Sequence, residues 1–92
     1  MVYVVERYVP SVSGSELERA LVALSRTTRE MRGEGTPVRY LGSTIVPGDE
    51  ACFCQFEAPS QEAVAEANRR ARVAFDRIVP AVAVSPAAQE IQ

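Results

Sequence analysis

The chain contains no histidine and no lysine; every one of its ten basic residues is an arginine. Without imidazole there is no Ser/His or Cys/His nucleophilic pair and no imidazole general base. The commonest side-chain ligand for transition metals is missing as well. Without lysine there is no Schiff base, and so no pyridoxal phosphate chemistry. Catalysis of any kind is left to a carboxylate, a phenol, a thiol or positioning alone. No apolar run approaches the roughly 20 residues that span a bilayer, and the opening Met1–Arg7 stretch is charged too early for a signal peptide. Two cysteines do not make a disulfide framework. A net charge of −2, with the arginines dispersed, speaks against nucleic acid. These absences point to a cytoplasmic domain with no membrane and no nucleic-acid partner.

What is present is an ordinary globular composition: 92 residues, 47% hydrophobic and 24% charged. One core fits that length, so residues 1–84 read as a single domain and 85–92 as a tail. Met1 to Val9 is rich in Val and Tyr and reads as a strand stopped by Pro10. Ser13 with Glu16 forms a capping box, and Val12 with Leu17 a hydrophobic staple. Leu17, Ala20, Leu21, Leu24 and Met31 then recur at helical spacing towards Gly33, which suits the position just past a helix end. Val38–Val46 and Ala51–Glu57 read as a hairpin around Pro47–Glu50. Ser60 caps a second helix whose inward stripe is Val64, Ala67 and Ala71, with Phe75 one turn further on. Ile78–Val84 closes a β-α-β-β-α-β order. That order predicts a ferredoxin-like α+β fold, an antiparallel four-stranded sheet with both helices on one face.

Alternation along the strands separates two faces. Val2, Val4, Val38, Tyr40, Cys52, Cys54 and Phe56 form the set assigned beneath the helices. Tyr3, Val5, Arg7, Arg39, Leu41, Ser43, Phe53, Gln55 and Glu57 form the opposite set, too apolar for open water and too polar for a sealed core. This reading makes the second face a homodimer surface, two sheets closing into a dimeric α+β barrel around a small cavity. Tyr3, Arg7, Arg39, Ser43, Gln55 and Glu57 are its candidate ligand-binding residues, suited to a small organic molecule or an anion. The bland alternative makes the charges surface or interface ion pairs. A bulge in the first strand would exchange Arg7 for Glu6.

Cys52 and Cys54 have the one metal-like spacing in the chain. On a strand both sulfurs face one way, about 6.6 Å apart at Cα, near the upper limit for a disulfide. A closed tetrahedral metal site needs about four ligands, so the pair reads first as small buried apolar side chains.

The stretch Glu50-Ala51-Cys52-Phe53-Cys54-Gln55-Phe56-Glu57-Ala58-Pro59-Ser60, a following Glu/Ala/Arg-rich helix, Asp76-Arg77-Ile78 and the early Tyr3-Val4-Val5-Glu6-Arg7 carry a resemblance. Over residues 2–84 the chain resembles a family of small bacterial domains of unknown function related to nickel-binding proteins. The resemblance implies a dimeric ferredoxin-like domain. Histidines serve nickel in such relatives, and the second helix here has Ala67-Asn68-Arg69-Arg70 in their place. The Arg72-Val73-Ala74-Phe75 segment replaces a more usual glycine-containing turn.

Three functions follow. The first is a dimeric binding domain without a cofactor. The second is a cofactor-independent cyclase, isomerase or monooxygenase with Glu57 as base, Tyr3 as acid and Arg7 or Arg39 as oxyanion partner. The third is a metal-binding protein built on Cys52 and Cys54 with carboxylates, which the absence of histidine disfavours.

Overall fold

The computed structural model describes residues 1–10 and 13–86. Its elements are β1 (Val2–Tyr8), α1 (Gly14–Gly33), β2 (Arg39–Val46), β3 (Ala51–Glu57), α2 (Gln61–Arg70) and β4 (Arg77–Ala81), with a 3₁₀ turn at Pro47–Asp49. The sheet is antiparallel throughout, in the order β2-β3-β1-β4. Both helices pack on the same face and on each other, giving the ferredoxin-like α+β arrangement.

Local chemistry sets the helix ends. Ser13 is extended, and its hydroxyl oxygen accepts the Glu16 N–H at 3.1 Å. The staple residue Val12 lies outside the described residues. Ser60 accepts the Ala63 N–H at 3.2 Å in the same way. α1 runs through Gly33, and the positive φ of +103° falls on Gly35 rather than on the expected Gly33.

α2 stops at Arg70, well before Phe75. The Arg72 N–H bonds the Arg69 carbonyl and the Val73 N–H bonds the Asn68 carbonyl, both at 3.0 Å. This is a Schellman motif, and its left-handed position usually belongs to glycine. Here Arg72 takes it with φ at 59°, a conformation that crowds Cβ against the backbone. The chain then enters β4, which spans Arg77–Ala81 rather than the expected 78–84.

The core lies between the helices and one sheet face. Leu24 and Met31 from α1 and Val64 and Ala67 from α2 meet Val5, Cys52, Cys54, Phe56 and Ile78 from the sheet, with Val38 beside them. Phe56 is fully buried and packs its ring 5.4 Å from that of Tyr40. Arg70 bonds Glu34 at 2.8 Å and Glu66 at 2.9 Å, tying the C-terminal ends of the two helices on the surface.

Strand register corrects the face assignment for β1 and part of β2. Val5 pairs with Cys54, Arg7 with Cys52 and Tyr3 with Phe56. Directly opposed residues share a face. Tyr3, Val5 and Arg7 therefore lie beneath the helices, and Val2, Val4 and Glu6 line the open face. In β2 the register shifts between Tyr40 and Gly42, leaving Leu41 as an extra residue. The bulge moves Ser43 opposite Cys54, onto the helix side.

Candidate functional site

The six sequence-predicted ligand residues divide between two surfaces. Arg39, Gln55 and Glu57 are exposed on the open face. Tyr3, Arg7 and Ser43 are under the helices, with Tyr3 8% and Arg7 4% exposed. The acid–base pairing of Tyr3 with Glu57 is thereby taken apart, because the sheet itself stands between the two side chains. Arg7 likewise cannot face a ligand held over Glu57.

The open face is built in rows across the strands. Arg39 opposes Glu57, which opposes Val2, which opposes Ala81. Gly42, Gln55, Val4 and Val79 form the next row, and Thr44, Phe53, Glu6 and Arg77 the third. Valines and Phe53 occupy the middle, and charge is at the margins. One marginal pair is tight: Arg77 donates to the Glu6 carboxylate at 2.6 Å. Gly42 puts no side chain beside Gln55, and open space lies where its Cβ would stand.

The helix side carries a chain of polar groups that runs across the sheet. The Tyr40 hydroxyl bonds the Ser43 hydroxyl, which in turn donates to the Cys54 sulfur at 2.9 Å. Cys54 lies 3.8 Å from Cys52, sulfur to sulfur, and both thiols are free and fully buried. Beyond Cys52 sits its cross-strand partner Arg7. The Arg7 guanidinium donates from Nη1 to the Ala74 carbonyl at 2.7 Å and from Nη2 to Asn68 Oδ1 at 2.8 Å. Its Nε has no acceptor among the described residues. Asn68 is fully buried, and its Nδ2 donates to the Val64 carbonyl at 2.8 Å, which holds the amide oxygen towards Arg7.

Sequence reasoning missed Asn68 and Tyr40 as members of this network. Asn68 was legible: it is a polar residue at helical spacing with Val64, Ala67 and Ala71, the stripe that faces the core. Tyr40 was assigned beneath the helices, but its bond to Ser43 depends on the bulge.

Burial pushes the Cys52 thiol up from 9.0 to about 11; neighbouring Cys54 adds to the rise, while the charge of Arg7 pulls against it. Burial also raises the Tyr40 phenol, against the bond from Ser43. The folded chain thus keeps the Cys52 proton to higher pH than the unfolded chain does. Unfolding releases that proton at a pH between the two values, so the contribution of Cys52 to stability is constant below pH 9 and falls as pH climbs towards 11. Urea unfolding midpoints at pH 7, 9 and 10.5 should show this loss, and Cys52→Ala should flatten part of it.

Residues 3–81 match the family described as "Nickel responsive protein SCO4226-like". The crystal structure of SCO4226 from Streptomyces coelicolor A3(2) superimposes with a TM-score of 0.73 at 22% identity, covering 90% of this chain and 100% of that one. A search of curated proteins finds no match. The donor set here does not suit nickel. Among the described residues no group of three or more His, Cys, Asp or Glu side chains comes together. The two thiols are buried and supply only two of the roughly four ligands that a closed metal site needs. Among the described residues no helix is long and apolar enough to cross a membrane.

Proposed function

Since the chain belongs to the SCO4226-like family of nickel-responsive proteins and shares its ferredoxin-like fold, we propose that it is a homodimeric binding domain whose two open sheet faces meet around a small polar ligand. The observation that carries this reading is the composition of the open face. Val2, Val4, Phe53 and Val79 lie together with no helix above them among the described residues, ringed by Arg39, Glu57 and the Glu6–Arg77 pair. An apolar centre with a charged rim is the anatomy of a protein interface rather than of a wet surface. A second copy is the occupant that fits, because a two-fold axis lets one such patch cover its own image.

The side-chain-free position at Gly42 leaves room for a cavity when two faces close. Gln55 supplies a donor and an acceptor at its floor, and Arg39 and Glu57 flank it. A few convergent polar groups in an apolar wall suit a small organic molecule with polar substituents or a single negative charge.

The test is a thermal-shift screen of small organic acids and amides against the wild type and Gln55→Leu. Compounds that raise the wild-type midpoint should lose most of that effect on Gln55→Leu while both proteins stay dimeric. No active compound, or compounds that act equally on both proteins, would remove the proposed cavity.

A further inference from the structure

We infer that the cavity between β1, the first turn of α1 and the end of α2 is a binding site for a small oxyanion, either a carboxylate or a phosphate. The inference does not rest on the dimer, since this cavity lies on the opposite side of the sheet from the proposed interface.

The starting point is Arg7. The residue is 4% exposed, and the two hydrogen-bond partners of its guanidinium, Ala74 O and Asn68 Oδ1, are both neutral. Among the described residues it has no carboxylate within ion-pair distance, and its Nε has no acceptor. A permanently charged group taken from water without a counter-charge is one of the least favourable things a core can hold. Five N–H donors are available and two are used.

The second observation is what adjoins it. Arg7 lines a cavity of about 270 Å³ together with Arg72, Tyr8, Leu17, Val73 and Glu16. Arg72 reaches this wall from the left-handed position of the Schellman motif, where glycine would relieve the backbone. Two arginines, the buried Arg7 and the exposed Arg72, therefore line one space. Glu16, Leu17 and Ala20 bring the flank of the first turns of α1 against the same space. Glu16 is the acidic member of the lining, and among the described residues it pairs with neither arginine. The volume lies just below the range of roughly 300–1,000 Å³ typical of drug-sized ligands, which suits phosphate or a short-chain carboxylate. Such an anion supplies the counter-charge that the protein itself withholds from Arg7.

Isothermal titration calorimetry on the full chain tests this, with sodium phosphate and sodium acetate as separate probes and ionic strength held constant with sodium fluoride. Saturable binding of one anion per chain is expected from at least one probe. Saturation by phosphate alone identifies a phosphate group as the ligand chemistry; saturation by acetate alone identifies a carboxylate. Arg72→Gly, which suits the backbone and keeps the fold, should weaken binding about tenfold. Arg7→Met should abolish it. Glu16→Gln, which removes the negative charge from the lining, should tighten it several-fold. No saturable heat with either probe, or binding unchanged in Arg72→Gly and Arg7→Met, overturns the inference.

Discussion

Phe53→Asp is expected to split the proposed dimer, raising its dissociation constant by at least about a hundredfold. Phe53 stands in the middle strand pair of the open face, between Thr44 on β2 and Glu6 on β1. It lies outside the buried core cluster, so its loss leaves the packing beneath the helices alone. An aspartate there puts a desolvated charge at the centre of the interface. It also sets a like charge directly across from Glu6, which the sheet disfavours even in the free chain. Size-exclusion chromatography with light scattering should show one protomer where the wild type shows two, with the circular dichroism spectrum unchanged. A Phe53→Asp protein that stays dimeric would move the interface elsewhere.

The second large effect lies on the other side of the sheet. Asn68→Ala should lower folding stability by about 3 kcal/mol. Asn68 is fully buried, and its amide oxygen is one of two acceptors for the Arg7 guanidinium. Truncation leaves a buried, charged donor with one partner fewer and opens a small void. Asn68→Asp offers the contrast. It keeps an acceptor for Arg7 and adds the counter-charge but loses the N–H donated to the Val64 carbonyl, so part of the stability should return. The same carboxylate should also expel the anion from the Arg7 cavity. Urea unfolding of the three proteins gives the order wild type, Asn68→Asp, Asn68→Ala; equal stability of wild type and Asn68→Ala would show that the amide does not hold the arginine.

The order of elements was legible because each carries its own punctuation. β3 begins and ends where the alternating Ala51–Glu57 run does, and Ser13 and Ser60 cap the helices that their spacing announces. The candidate site was less legible, for two local reasons. Residues 2–5 of β1 are Val, Tyr, Val and Val, apolar in both phases, so alternation alone cannot say which phase is buried. Glu6 and Arg7 follow with one charge in each phase, so charge does not decide it, and the expectation sets Arg7 outward, where a charge is usual. In the structure that charge is buried, and the departure from the usual rule is what makes Arg7 worth explaining. In β2, Gly42 inside a strand is the trace of the bulge at Leu41, but glycine does not say which neighbour is extra. One inserted residue carries Ser43 from the open face to the thiols. Arg72 is a third case: an arginine in a left-handed cap gives no sequence signal beyond the absence of the expected glycine.

Homodimerisation through the open sheet face is the claim on which the proposed function depends. Sedimentation velocity on the wild-type chain, diluted from about 100 µM to about 1 µM, addresses it directly. The account predicts a species of twice the 10.0 kDa chain mass that persists through most of the series. A species of 10.0 kDa at every concentration would contradict it.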